Sequence, residues 1–251
     1  MDDQSSALPS CAQCVQLDAL GFAFTMAFQP IVDVATRVVF AHEALVRGVG
    51  GEGSESVFAH VNDGNRYRFD QACRVKALEL ASKLAIPCHV SINFLPNAVY
   101  RPELCIRTTL AAAERYGFPI DRIIFEIAES ERVTDIVHMR SIVEHYKQRG
   151  FLTAIDDFGA GYAGLNLLAE VRVDIVKLDM ALIRHIDADP GRRAIVRGVV
   201  QVCRELSMRV VAEGVETADE YLAVCDLGVD YVQGFYLARP AFESLAEVAL
   251  V

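Results

Sequence analysis

Apolar positions along this chain follow two periods. From Phe22, the stretches FAFTMAFQPIVD and RVVFAHEALVR are apolar, β-branched or aromatic, and only Asp33–Thr36 separates them. So short a connection predicts an antiparallel strand pair rather than a crossover. Gly48–Ser56 reads as a loop rich in glycine and acids. Over Asp70–Leu84 the period changes: Ala72, Val75, Leu78 with Ala77, Leu80 and Leu84 share one broad helical face. Asp70 is placed as the N-cap of that helix and Pro87 as its stop.

After Pro87 a regular alternation begins. Strand-like runs read CHVSINFL, RIIFEIAES, FLTAIDDF, VDIVKLD, RVVAEGVE and DYVQGFYL. Helical segments lie between them, including Glu103–Tyr116, Val133–Gln148, Arg192–Leu206 and Thr217–Leu227. Alternating strand and helix predicts parallel βαβ units with right-handed crossovers. These six strands and the opening pair make eight, the count of a closed α/β barrel. Residues 21–251 are taken as a single barrel domain. Residues 1–20 are a polar N-terminal segment containing Cys11 and Cys14, a CxxC spacing without the second matched pair that a structural zinc site requires.

Composition narrows the picture. The chain has 251 residues, of which 53% are hydrophobic, as strands buried on both faces require. No run approaches the ~18 apolar residues of a membrane span. The opening MDDQSSALPS carries acids where a secretion signal needs basic residues. Seven scattered cysteines, an odd number, fit reduced thiols in the cytoplasm. A net charge of −10 argues against binding duplex nucleic acid through a basic surface. A small phosphodiester stays admissible where metal ions reverse the sign of the local field.

The candidate chemistry sits where apolar runs are interrupted near their C-terminal ends. These positions are Glu43, Asn93, Glu126 with Glu129, Asp156 with Asp157, Lys177 with Asp179, Glu213 with Glu216, and Gln233. Barrel strands present those ends to one face, where active sites of this architecture lie. A lone acid there is most simply a strand cap or a salt-bridge partner. The same placement in seven strands predicts converging carboxylates that raise their own pKa values or recruit cations. Carboxylate and amide oxygens suit hard divalent ions. Adjacent residues of a strand face opposite sides, so Asp156 and Asp157 reach one metal centre only if the strand ends there. Gly159, Gly161 and Gly164 allow that departure. No Gly-Lys-Ser/Thr follows, so the loop is not a nucleotide P-loop.

Glu43-Ala44-Leu45-Val46-Arg47 is similar to the ExLxR motif that names the EAL-domain cyclic di-GMP phosphodiesterases. Gln29-Pro30-Ile31, Asn93, Glu126-x-x-Glu129, Asp156-Asp157-Phe158-Gly159, Lys177-x-Asp179, Glu213-Gly214-Val215-Glu216 and Gln233-Gly234 stand alongside it, over roughly Phe22 to Pro240. The resemblance implies a TIM-like (β/α)8 barrel with one antiparallel strand. It also implies hydrolysis of cyclic di-GMP to linear pGpG with Mg²⁺ or Mn²⁺, and commonly a homodimer. Carried over, it makes Glu43, Asn93, Glu126 and Asp156 ligands of a first metal. Asp156 bridges to a second, to which Asp157 contributes. Lys177 orients the attacking water, and Glu213 is the base or a water or metal ligand. Gln29, Leu45, Arg47, Asp179, Glu216 and Gln233 face the substrate, and Glu129 anchors the glycine loop. Family loops commonly read DFGTGYSSL, whereas this one reads DFGAGYAGL, with Ala160, Ala163 and Gly164 replacing hydroxyl residues. The alternative is a degenerate member that binds cyclic di-GMP without cleaving it, although every ligand position is retained here. The regulatory input is not indicated.

Overall fold

In the computed structural model, which describes residues 20–96, 99, 101–128, 135–161 and 164–248, the opening runs form β1 (Thr25–Asp33) and β2 (Val39–Arg47). They pair antiparallel from Thr25 opposite Arg47 to Val32 opposite Val39. The later runs form β3 (His89–Phe94), β4 (Ile123–Ala128), β5 (Leu152–Phe158), β6 (Ile175–Leu178), β7 (Arg209–Ala212) and β8 (Tyr231–Val232). Each is parallel to its predecessor, from β2 through to β8. Val32 and Asp33 of β1 then pair antiparallel with β8, which closes the barrel. The expected architecture, with its single reversed strand, is therefore present. A short β9 (Ala241–Phe242) that the apolar pattern does not reveal pairs with Ala27 and Phe28, where β8 does not reach along β1.

The two-residue period of each strand sorts its side chains into two environments. Outward positions such as Phe28, Ile92, Phe125, Ile155, Val176 and Val210 pack in the large apolar cluster beneath the helices. Inward positions fill the bottom of the barrel with Ile31, Ala41, Ile124, Ala154, Ile175, Val211 and Tyr231. Two residues further toward the other face, the same strands present Gln29, Glu43, Glu126, Asp156, Lys177, Glu213 and Gln233. An apolar plug thus supports a polar layer. Charged side chains can occupy that layer only if they neutralise one another or bind cations.

Several helix boundaries differ from the sequence expectation. The last residues of the expected Gly48–Ser56 loop enter a short helix, α1 (Ser54–Phe58). The following helix, α2, spans Arg66–Lys83 with Asn65 at its N-cap position, so Asp70 lies inside it. Asp70 resembles a cap in sequence because its real partners are remote. Its Oδ2 accepts from Arg74 Nη2 at 2.5 Å, and its Oδ1 accepts from the Leu95 backbone N–H at 3.0 Å. Pro87 is not the stop either; Leu84 closes α2 and Ala85 turns out of it at φ +50°. Glu103–Tyr116 is broken at Ile106 into α3 (Pro102–Cys105) and α4 (Arg107–Tyr116). The third segment is α5 (Ile136–Gln148), capped by Asp135, which accepts from His138 N–H; Val133 lies outside the described residues. Two short helices, α6 (Gly164–Glu170) and α7 (Met180–Ile183), follow β5 and β6. The last two are α8 (Pro190–Glu205) and α9 (Ala218–Asp226). No described helix is long and apolar enough to cross a membrane.

Arg74 is fully buried, with its guanidinium 5.4 Å from the Phe94 ring centre and 5.3 Å from that of Phe125. Removing this cation strands the Asp70 carboxylate in the core. Arg74→Leu is therefore expected to lower unfolding stability by about 3–5 kcal/mol. The double variant Asp70→Leu/Arg74→Leu should recover most of that loss. Urea unfolding of the three proteins measures both effects, and equal stability of the two variants would contradict the account.

Candidate metal centre

Lys177 is the centre of the polar layer. Its side chain is 1% exposed, and Nζ lies 2.8 Å from Asp156 Oδ1, 2.8 Å from Glu213 Oε1, 2.9 Å from Glu126 Oε1 and 3.5 Å from Glu43 Oε2. Burial alone would lower a lysine pKa. The carboxylates of Asp156, Glu126, Glu213 and Glu43 outweigh it and hold Lys177 well above its ordinary value. The same confinement acts on the acids with the opposite sign. Burial lifts Glu126 to about 8; Lys177 opposes the rise, and Glu43 and Asp156 reinforce it. Burial likewise drives Glu213 well above the usual carboxylate range, against the pull of Lys177. Asp157 rises to about 6, from burial first and then from the charges of Asp156 and Asp179.

Two triads of carboxylate oxygens, each within 4.8 Å of one another, share one member. Glu43, Glu126 and Asp156 form the first; Asp156, Asp157 and Glu213 form the second. The shared residue depends on a local distortion. The pairing of β5 with β6 shifts register between Ile155 and Phe158, and Asp157 takes φ +54°. The strand therefore does not end at Asp156, as the sequence reading required. A bulge with a left-handed Asp157 brings both side chains to one side and lets the strand resume at Phe158. Gly159 follows at φ +102°, where a Cβ would come within 2.5 Å of Leu182 in α7.

The donor set fits hard divalent cations. All three carboxylates in each triad offer oxygen, and Glu126 Oε2 is buried without a hydrogen-bond partner. Four carboxylates contact the Lys177 ammonium and Asp157 adds a fifth to the two triads; with all five ionised, the surplus would equal the charge of two divalent ions. At ~5 Å and an effective dielectric near 20, each uncompensated like-charge pair costs on the order of 3 kcal/mol. Asn93 lies beside the first triad, donating to Glu43 Oε1 at 3.2 Å.

The other expected site residues divide into three sets. Gln233 Nε2 donates to Glu43 Oε2 at 2.6 Å and lies 3.2 Å from Gln29 Oε1, while Gln29 Nε2 donates to the Ala238 carbonyl. These two glutamines orient Glu43 from β8 and β1. Gly234 makes that possible, because a Cβ there would lie 2.0 Å from the Val215 carbonyl oxygen. Leu45, Arg47 and Asn93 line a cavity of about 450 Å³ that runs outward to Phe58 and Arg66. In this structure Arg47 Nη1 donates to the Val46 carbonyl. Glu216 and Asp179 do not join the acid group. Glu216 accepts from Arg184 at 2.7 Å, and Asp179 caps α7 by accepting from the Ala181 N–H. Glu129, Ala163, Cys11 and Cys14 lie outside the described residues. Sequence reading missed Ser91, whose Oγ donates to Glu126 Oε1 at 2.5 Å. Its position two residues before Asn93, on the same face of β3, was the available signal.

Comparison with known proteins agrees with this geometry. A standalone EAL protein from Vibrio cholerae O395, in its c-di-GMP bound form, is 55% identical and superposes with a TM-score of 0.89, over 92% of this chain and 97% of that one. The manganese and cyclic di-GMP complex of Klebsiella pneumoniae BlrP1 is 35% identical with a TM-score of 0.83, over 91% of this chain and 58% of that one. The Escherichia coli (strain K12) cyclic di-GMP phosphodiesterase PdeF is 32% identical over 160 residues, 63% of this chain and 21% of that protein. The curated relatives are longer proteins: the chain spans 56% of one and about a fifth of another. The family model described as EAL domain matches residues 17–240. With that match over most of its length, the chain belongs to the EAL domain family.

Proposed function

We propose that this chain hydrolyses cyclic di-GMP to linear pGpG, using two divalent cations, Mg²⁺ or Mn²⁺. The observation that carries this reading is the pair of carboxylate triads joined at Asp156 around Lys177. Glu43, Asn93, Glu126 and Asp156 would hold one ion; Asp156, Asp157 and Glu213 would hold the other. Ions held there would neutralise the phosphodiester and lower the pKa of the attacking water. The reaction adds water across one P–O bond. The water oxygen joins phosphorus, the bond to the 3′ oxygen breaks, and that oxygen leaves with a proton as a hydroxyl of pGpG. Lys177 Nζ, already among the carboxylates, donates a hydrogen bond that holds the attacking water. Glu213 accepts the proton that water loses. Arg47 turns its fork from the Val46 carbonyl to a phosphate oxygen, with Leu45 against the nucleoside in the adjoining cavity. Gln29 and Gln233 keep Glu43 aimed at its ion. Asp179 and Glu216 shape the rim of the substrate site through α7 and Arg184, and Glu129 anchors the glycine loop. The reading also places the protein in the cytoplasm as a homodimer, on its cysteine content and on the family resemblance respectively.

Incubation of the purified chain with cyclic di-GMP and Mg²⁺ or Mn²⁺ should yield pGpG by chromatography. Glu43→Ala should lower turnover by on the order of 100-fold or more, as loss of one preorganised electrostatic contact does elsewhere. Ca²⁺ should support binding but little turnover, because its larger and looser coordination shell misplaces the water. Binding without turnover in both Mg²⁺ and Mn²⁺ would instead identify a receptor.

The raised carboxylates make ion binding pH-dependent. Glu126 at about 8 and Asp157 at about 6 keep protons that an incoming ion must displace. Mn²⁺ binding near pH 7 should therefore release protons, and its affinity should climb between about pH 6 and about pH 8. Stability of the metal-free fold has the opposite slope. Both groups hold protons more tightly folded than unfolded, so stability falls as pH rises from the ordinary carboxylate range through about 8. Calorimetry in buffers of differing ionisation enthalpy reads the first effect, and melting curves read the second. Affinity that does not change with pH across this window would refute the charge assignment.

A further inference from the structure

We infer that Ser91 is a positioning residue that commits Glu126 to binding its ion through a single oxygen, Oε2. The inference rests on the two-cation reading above and adds a residue to it. Ser91 is fully buried on β3, at the register position opposite Glu43 on one side and Ile124 on the other. Its hydroxyl has one proton, and that proton goes to Glu126 Oε1 at 2.5 Å. The same oxygen takes the Lys177 ammonium at 2.9 Å. Oε2 of that carboxylate is buried with no hydrogen-bond partner, and Glu126 forms a triad with Glu43 and Asp156.

The asymmetry has a chemical consequence. The terminal torsion of a glutamate is broad and roughly two-fold, so its two oxygens exchange easily unless something distinguishes them. One hydroxyl donor and one ammonium contact on Oε1, and neither on Oε2, distinguish them. They hold the carboxylate plane still and present one lone-pair-bearing oxygen toward the ion. β3 also supports Glu43, whose Oε1 accepts from Asn93 while its Oε2 accepts from Gln233. The difference is that Asn93 has its own carbonyl oxygen to offer a cation, whereas the Ser91 hydroxyl hydrogen-bonds Glu126. Ser91 therefore acts through Glu126, and on the ion of the first triad alone.

Titration of the full-length chain with Mn²⁺, followed by calorimetry without nucleotide, tests this. Glu126→Gln identifies which of two Mn²⁺ ions belongs to the first triad. Ser91→Ala should weaken that ion about 10-fold or more, the usual scale for loss of a contact supporting a ligand, and leave the other unchanged. Placed in the Glu126→Gln background, Ser91→Ala should cause no additional loss. Ser91→Cys, close in size but a weak donor, should behave like Ser91→Ala and serves if the alanine variant does not fold. Unchanged affinity for both ions in Ser91→Ala and Ser91→Cys would overturn the inference. So would equal weakening of both ions, or the same loss with Glu126→Gln present. These outcomes concern ion binding alone, so they stay distinct from absence of cyclic di-GMP turnover. A wild-type chain that binds fewer than two ions overturns both readings.

Discussion

Everything above the apolar plug depends on one ammonium group. Lys177 touches carboxylates from β2, β4 and β5 and from the segment just beyond β7. Without a cation at this point the buried acids would have to take up protons or bind other cations, because desolvating several like charges is costly. The contact also checks register. A slip of one residue in β6 would turn Lys177 outward into the helix layer and bring an apolar neighbour among the carboxylates. Folding and the assembly of the candidate metal centre are thus the same event. The chain brings its own cation to the place where its carboxylates converge.

That dependence explains what could be read from the linear sequence. A charge inside an apolar strand is conspicuous, and period two assigns its direction; hence Glu43, Glu126, Asp156 and Lys177 were visible together. The reversed first strand was visible too, in the shortness of the Asp33–Thr36 connection. Residues whose meaning is tertiary were not. Asp70 looks like a helix cap because an acid before an apolar period usually is one, yet it answers Arg74 and the Leu95 N–H inside the core. Ser91 looks like a neutral strand residue until Glu126 is seen beside it. Asp157 required a left-handed backbone that strand periodicity cannot express. Glu216 and Asp179 share motifs with Glu213 and Lys177 of the acid layer, but pair with Arg184 and cap α7. Helices of four to seven residues, such as α6 and α7, are too short to show a period.

The plug and the polar layer also divide tolerance to change. Below, Ile31, Ile124, Ile175 and Val211 interact by shape, so volume-conserving replacements are accommodated. Above, the side chains pair with partners from other strands, and a substitution strands its partner as well as itself. The same barrel is therefore forgiving at one end and unforgiving at the other, within two residues along each strand.

The direction of β1 has a consequence for how the domain is attached to anything else. In a barrel of parallel strands the polypeptide enters at the face opposite the catalytic mouth. Here β1 runs backwards, so Thr25, paired with Arg47 at the C-terminal end of β2, stands at the mouth itself. Whatever precedes Thr25 is delivered to the rim of the acid layer, a few residues from Arg47 and the cavity it lines. The topology sets the segment that precedes Thr25 beside the acid layer rather than at the opposite face of the barrel.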